Sequence, residues 1–564
     1  MSTLWVLTGL LALAVVLWQR LKSARSSRLP SYLKGPTPSS WILGNQSDWA
    51  LSEAGEANGR WKAQYGAVYK YFGCFGDEYL VLNDANALAY IMKGQATSYL
   101  LDKSLREFLR LVTGEGLNWA EGSNHARQRR LLSPAFNTSF IKSLVPTFAS
   151  VGSRLVAQWN KRIDSEGVDG AWDVDAFHWI ELITTEALGL TAFGVKFGSL
   201  EGEEHPLQKA YAGMISASFS RPSKLSIVIG AAILRIPAWI VHHIQRLPLP
   251  GLTKLKEAQR IGHKFANELM AEKRRQLESN AQVEDRDFIT VLVRAGEKNQ
   301  RGNLESMSDM EIYNNLTTFW IAGFETSANV TAFALIELAR NPHIQQRLSS
   351  EVLNILGTAA DRDLSDGLTA DELERMPYLE AVLNETLRCH APIHSGLFRA
   401  AADDLIPLST PIQTETGTVD RIPIRAGQCV LGSIDGLNKS EEVWGPDATE
   451  FLPDRWLGRE TKQIDPSKQT GGIYANLATF GGGPKACIGY RFALLEVSVF
   501  IAIIIRDFEI ALSPPDWQLW SDGSFIGTIP MEKGRWLGGG QCPLKIRRRQ
   551  GKFDAVVLGT APLR

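Results

Sequence analysis

Residues Phe480 to Glu496 read FGGGPKACIGYRFALLE, and the rest of the chain is read outward from this stretch. A lone cysteine, Cys487, stands between a glycine-rich loop and an apolar run. Gly481, Gly482 and Gly483 allow backbone angles closed to other residues and leave room for a flat ligand to approach. Lys485, two residues before the cysteine, offers a cation to an anionic edge of such a ligand. Phe492, Leu495 and Val499 recur at helical spacing, which predicts a helix from Ile488 with Cys487 at its N-terminus. Free N–H groups and the helix dipole there favour a thiolate, a soft donor suited to iron. The plainer alternative is a buried structural cysteine behind a flexible loop. A phosphate-binding loop fits less well, because Lys485 is followed by Ala486 rather than Ser or Thr.

Further up the chain, Asp309 to Leu338 is apolar on most faces and is predicted to form one long buried helix. Inside it lies Ala322-Gly323-Phe324-Glu325-Thr326-Ser327. Ala322 and Gly323 come one turn before Thr326, so the helix is expected to be thinnest beside a hydroxyl, with Glu325 next to it as a proton source. Small residues with Thr also serve plain helix–helix contacts. Thr369 and Glu372 form a capping box that opens another helix. Glu385 and Arg388, three apart, can pair, and Arg455 in Phe451-Leu452-Pro453-Asp454-Arg455-Trp456 supplies a second guanidinium. In the segment Gly116 to Phe136, His125 and Arg129 are four apart and share a helix face, whereas Arg127 and Arg130 read as solvated charge.

The chain has 564 residues and a formal net charge of −1, which argues against a general nucleic-acid binder. Its five cysteines are scattered without a CxxC pair, which excludes a disulfide framework and gives no zinc or iron–sulfur pattern. Ser2 to Gln19 carries no charge and just reaches spanning length, and Arg20, Lys22, Arg25 and Arg28 come directly after it. Charges after the apolar core point to a signal anchor with its basic flank in the cytosol. The organisation expected is a transmembrane anchor at 1–19, a basic, proline-rich hinge at 20–45 and one catalytic domain at 46–564. Val68–Phe72 and Tyr79–Leu82 read as strands, Asp84–Met92 as helix, and Arg547–Arg549 as a basic surface run.

Phe480, Gly483, Lys485, Cys487, Gly489, Phe492-Ala493 and Glu496 together resemble the haem-binding signature of the cytochrome P450 superfamily, with Lys where Arg is commoner. Four motifs succeed one another in the family's order from the hinge to the haem loop. The resemblance implies a mainly α fold with a smaller β region, behind a single N-terminal transmembrane helix. It implies haem b between the long helix and the helix after Cys487, with Cys487 as axial iron ligand. Phe480, Lys485, Gly489, Ala322 and Gly323 would then surround the haem, and His125, Arg129 and Arg399 would meet its propionates. Glu325 and Thr326 match the family's acid–alcohol pair, which relays protons to bound dioxygen. Glu385, Arg388 and Arg455 match its structural charge triad. His394 to Phe398 are expected to line the pocket above the haem, and Phe525 to Ile529 to reach back over it. Ser226 to Leu234 is either the membrane-dipping roof of a substrate channel or a plain core helix.

The same resemblance implies a monooxygenase of the endoplasmic reticulum membrane with a cytosolic catalytic domain. No flavin or nicotinamide domain fits this length, so electrons would come from NADPH through a separate cytochrome reductase, with cytochrome b5 as a further donor. The chain looks most like fungal microsomal members, which favours a lipophilic secondary metabolite such as a terpenoid over a fatty acid or xenobiotic. Two rivals remain: a haem-thiolate isomerase or dehydratase, which would need no proton relay of the Glu325–Thr326 kind, and a non-catalytic haem-binding membrane protein.

Overall fold

Five helices position the site: α1 (Gly122–Leu132), α2 (Ala176–Leu188), α3 (Asp309–Arg340), α4 (Pro377–Cys389) and α5 (Tyr490–Asp507). The start of α3 is fixed by Ser308. Its hydroxyl accepts from the Glu311 N–H at 3.2 Å, while the Glu311 carboxylate accepts from the Ser308 N–H at 2.9 Å. This reciprocal cap satisfies two donors that a helix end otherwise leaves orphaned. Beyond it, Phe333, Leu335, Ile336 and Leu338 are buried with Ile180 and Ile183 of α2 and Phe500, Ile501 and Ile504 of α5. Each such side chain contributes about 2 kcal/mol when removed from water. Among the described residues only α3 is long and apolar enough to cross a membrane, and most of it is buried inside the protein. It is the core helix.

The computed structural model describes residues 29–94, 97–203, 205–211, 222–233, 235, 250–279, 288–300, 306–365, 367–415, 417–458, 468–523, 527–535 and 539–549. The expected anchor at 1–19 and the start of the hinge lie outside them, as do Phe525 and Ile526. From Leu29 the chain is packed rather than strung out. Leu29 and Leu33 are buried with Val68 and Leu80, and the Lys70 N–H donates to the Lys34 carbonyl at 3.0 Å.

Strands β1 (Val68–Phe72), β2 (Glu78–Leu82), β3 (Tyr99–Leu101), β4 (Ser395–Ala400) and β5 (Cys429–Ser433) form one sheet in the order β1-β2-β5-β4-β3. Only β2 and β5 run parallel; the other neighbours are antiparallel. The register aligns Tyr79, Cys429 and Arg399 in one row across it. A second sheet joins Ala171–Asp175 to Pro543–Arg548 and Phe508–Leu512, which lays the end of the described chain beside the start of α2. The architecture is mainly helical with a smaller β region, as expected.

Three expectations change. Lys224–Ile233 is helical, and it rests Ile227, Val228, Ala231 and Ala232 on Leu43, Cys74 and Phe75 while Leu225 and Ile229 stay exposed; it is a surface helix, not a core one. Arg548 donates to Asn160 and pairs with Asp164, and Arg549 pairs with Glu509, so Arg547–Arg549 is not a free basic run. Ala370–Glu374 is a single capped turn, and Pro377 opens α4 as a separate helix, because proline suits a first helical position and blocks a continuing one.

Candidate active site

The loop ahead of α5 owes its course to bare backbone. At Gly483 φ is +63° and a Cβ would collide with the Met92 carbonyl oxygen, so only glycine fits. The Cys487 N–H donates to the Phe480 carbonyl at 2.8 Å, closing the loop on itself. The Phe480 ring stands edge-on to Tyr474, with 6.0 Å between ring centres. Helix α5 begins at Tyr490 with Gly489 as its N-cap, so Cys487 lies ahead of the helix, not in its first turn. Apolar spacing marks the buried face and is blind to the fact that Ile488 still belongs to the turn.

Of the five free cysteines, Cys487 is exposed and the other four are buried. Its thiol is nonetheless pushed up by its deep setting, which the Gly489 N–H and the Arg129 guanidinium only partly oppose. The dipole-lowered thiol that helical spacing suggested is therefore outweighed by desolvation. Burial pushes Cys389 and Cys429 much further, each to about 12.

Basic residues converge beside this loop. Arg129 donates to the Ala486 carbonyl at 2.6 Å, and Lys485 donates to the Ala120 carbonyl at 2.8 Å. Burial holds the Lys485 ammonium down to about 8, with Arg106 adding to the effect and Glu121 opposing it. His125 is buried on α1 and drawn down to about 4, first by burial and then by Lys485 and Arg129. It is neutral at pH 7, a hydrogen-bonding group rather than one more cation. Arg399 stands on β4, with Nη2 and Nε donating to Asp102 Oδ2 at 2.6 and 3.2 Å and Nη1 donating to the Gly427 carbonyl at 2.7 Å. Asp102 also caps the helix Lys103–Thr113, accepting from the Ser104 N–H at 2.9 Å.

On α3, Thr326 Oγ1 donates to the Ala322 carbonyl at 2.7 Å, and Ala322 is exposed halfway along an otherwise buried helix. Gly323, three residues before Thr326, lies on the same helix face as Ala322, and a Cβ there would also come within 2.8 Å of the Leu188 side chain of α2, so it sits beside a helix crossing as well. Glu325 is buried, and burial together with the nearby Glu181 pushes its carboxyl up to about 8.

The cytochrome P450 family matches this chain over residues 34–530. The chain belongs to that family. Cytochrome P450 monooxygenase 205 of Postia placenta is 30% identical over 552 residues, covering 96% of this chain and 97% of its own. Cytochrome P450 monooxygenase claU of Ampulloclitocybe clavipes is 28% identical, covering 92% of each chain. Ganoderic acid synthetase of Ganoderma lucidum is 27% identical, covering 91% of this chain and 94% of its own. This P450 is accordingly an oxidoreductase of the monooxygenase type, and its family carries haem with thiolate-ligated iron.

The residues present fit such a group. An exposed thiol, an exposed Ala322 and a Gly489 with only Phe136 as far as 3.7 Å from a hypothetical Cβ leave bare surface where a flat ring would lie. Arg129 and Lys485 supply the charge for carboxylates. Trp119 Nε1, next to the Ala120 that Lys485 binds, is buried and has no hydrogen-bond partner among the described residues, an orphan donor with nothing in the sequence to flag it. Behind the loop the charge triad is complete. Arg388 donates through Nε and Nη2 to Glu385 at 2.8 Å each, and Arg455 Nε donates to Glu385 at 2.9 Å. Arg388 also holds the carbonyls of Asn438, Ala448 and Glu450. Glu385 and Arg388 are fully buried.

In the segment after α4, two of the residues expected to line the pocket, His394 and Phe398, are turned inward. His394 is buried against Trp49 and hydrogen-bonds the Gly523 carbonyl at 2.8 Å, and Phe398 is buried in the core beneath the sheet. In a strand successive side chains face opposite ways, and these two are committed to the interior. Thr528 does reach back, its N–H donating to the Pro392 carbonyl at 2.8 Å.

Proposed function

We propose that this P450 inserts one oxygen atom from dioxygen into a lipophilic substrate, hydroxylating or epoxidising it, and that Cys487 would supply the thiolate that holds haem b iron. The observation that carries this reading is the contrast between Cys487, exposed on a glycine-fixed loop, and the four other cysteines, all buried. When bound, the haem supplies dioxygen activation, and electron donation from the thiolate favours O–O cleavage. Arg129 and Lys485 would hold the propionates as cations, His125 as a neutral donor, and Arg399 through the N–H groups that Asp102 and the Gly427 carbonyl leave free. Phe480, Gly489 and Ala322 would bound the ring. Thr326 orients a proton at its hydroxyl, and Glu325, raised to about 8, keeps its own proton at neutral pH and can give it up there.

Electrons come from NADPH through a separate cytochrome reductase, with cytochrome b5 as a further donor. Residues 1–19 anchor the chain in the endoplasmic reticulum membrane, with the catalytic domain in the cytosol; the uncharged run from Ser2 to Gln19 supports this. A relative named ganoderic acid synthetase supports a fungal secondary metabolite, a terpenoid in our reading, as substrate. The test is the carbon monoxide difference spectrum of the reduced protein. Wild type should show the displaced Soret band of thiolate-ligated haem and Cys487→Ala should not; a retained band would assign the iron to another ligand. Reductase-supported NADPH consumption, provoked by terpenoids but not by fatty acids, then tests the substrate class.

A further inference from the structure

The helix Pro250–Glu278 carries a glycine, Gly262, in its middle, where glycine costs stability relative to alanine. A Cβ there would lie 2.9 Å from Tyr211 Oη and 3.3 Å from Tyr313 Oη. The bare position makes room for two phenols that arrive from other helices, Pro206–Tyr211 and α3. Tyr313 Oη donates to the Gln259 carbonyl at 3.2 Å, so its proton is committed. Tyr211 Oη lies near the Tyr313 and Thr317 hydroxyls but outside hydrogen-bond geometry with either.

Beside Tyr211 the three helices leave a cavity of about 10 Å³. Phe193, Phe265 and Leu316 form its apolar walls, and Tyr211, Thr317 and Trp320 its polar ones. Trp320 Nε1 and Tyr211 Oη are both buried without a hydrogen-bond partner among the described residues, and each of the two residues is only 2% exposed. The Trp320 indole cannot turn away to find one. It is wedged among Phe193, Phe197 and Phe324, with ring centres 5.9, 5.1 and 5.6 Å away.

A buried indole N–H and a buried phenol left unpaired cost the fold their lost hydration. Voids that stay dry are lined by apolar groups; a polar one holds a water once the water's centre has about 10–15 Å³ and two to four polar partners. This cavity meets both conditions, and no organic ligand fits its volume. The chemistry of the three polar groups is also complementary. An indole N–H can only donate, whereas a hydroxyl can donate or accept. A water between them accepts from Nε1 and has two protons left for the Tyr211 and Thr317 oxygens.

We propose that this cavity binds one water molecule, which joins Trp320 and Thr317 of α3 to Tyr211 and so fastens the helix Pro206–Tyr211 to the core helix. Gly262 keeps the place open. The site is separate from the thiolate loop, because none of its lining residues is among those that would hold the haem.

A crystal structure of the full-length holoprotein, at a resolution that shows ordered solvent, should contain one water within hydrogen-bond distance of both Trp320 Nε1 and Tyr211 Oη. A dry cavity, or a water that touches only one of the two, overturns the proposal. Urea unfolding of the holoproteins tests the same bridge in solution through a cycle of Tyr211→Phe, Trp320→Phe and the double variant. Each single change should lower the folding equilibrium constant by about fivefold. The double variant should fall short of the product of the two by about threefold, since either change alone already takes a partner from the water. Effects that multiply to within about twofold, as independent sites do, would overturn the bridge as well. If a variant does not fold, the wild-type density decides alone.

Discussion

Replacing Glu496 by Gln should stabilise this P450, and increasingly so as the pH rises. Glu496 is fully buried on α5, and among the described residues neither carboxyl oxygen has a hydrogen-bond partner. Burial pushes its pKa from 4.5 to about 8, with the Ser327 hydroxyl, near but outside hydrogen-bond geometry, opposing the rise. A carboxyl raised in the folded state holds a proton that the unfolded chain has already released. Its full contribution is therefore present below the unfolded value and is lost as pH climbs through the folded one. Each tenfold difference in acidity between the folded and unfolded states is worth about 1.4 kcal/mol, so the disadvantage of the acid grows from near zero at about pH 4.5 to about 3 kcal/mol at pH 7. It levels off near 5 kcal/mol above pH 9. With no solvent exposure, no discount for screening applies.

The amide keeps the shape and never ionises, so the Gln variant lacks this slope. Urea unfolding of the two holoproteins in detergent, monitored by tryptophan fluorescence and the Soret band, should show their midpoints diverging by the equivalent of about 2–3 kcal/mol between pH 6 and 8.5. Haem release and every other titrating group act equally on both proteins and cancel in the difference. Parallel pH dependences would refute the reasoning, because Glu496 would then be ionised in the fold or paired in a way that its surroundings do not show.

Buried charge dictates two further outcomes. Arg388→Ala should leave the buried Glu385 with Arg455 as its one remaining guanidinium, strip the Asn438, Ala448 and Glu450 carbonyls of their donor, and cost about 3–5 kcal/mol, enough to empty most of the folded population; Arg388→Lys should rescue little, because one ammonium cannot serve Glu385 and three carbonyls together. The ratio of carbon monoxide-binding haem to total protein measures both. Asp102→Ala should lower the thermal midpoint by the equivalent of about 1–3 kcal/mol, since it uncaps Lys103–Thr113 and frees Arg399 at once; Asp102→Asn, which still caps the helix, should fall between Ala and wild type.

What the sequence made legible was whatever depends on neighbours along the chain. The strands Val68–Phe72 and Tyr79–Leu82, the Thr369–Glu372 cap, the long buried helix and the order of the four motifs all rest on local period or spacing, and all appear. Burial of four cysteines agreed with their being scattered among apolar residues. What escaped depends on partners hundreds of residues away. Asp102 and Arg399 meet across a separation of 297 residues, and no local pattern in the sequence proposes that pair. The state of His125 escaped for a related reason: its charge is decided first by burial and then by Lys485 and Arg129, so a residue that sequence places among cations turns out neutral.

The three consecutive residues Glu325, Thr326 and Ser327 show why local spacing names a site without saying how it works. Successive positions on a helix point about 100° apart, so three neighbours serve three different walls. Glu325 is turned towards Glu181 of α2, Thr326 stays beside the exposed Ala322, and Ser327 is turned towards Glu496 of α5. The middle residue shares the open face; each flanking residue lies near an acid of a different helix, half-buried Glu181 or fully buried Glu496. Both acids are raised into the neutral range or above by the same cause, desolvation, yet their situations differ. Glu181 is half-buried with exposed Asp175 beyond it, whereas Glu496 is sealed. A raised carboxyl exchanges protons readily only where solvent can reach it, so the same physical cause leaves Glu181 in exchange with water and Glu496 a fixed, neutral strut. Burial sets the pKa; the route to water decides the use.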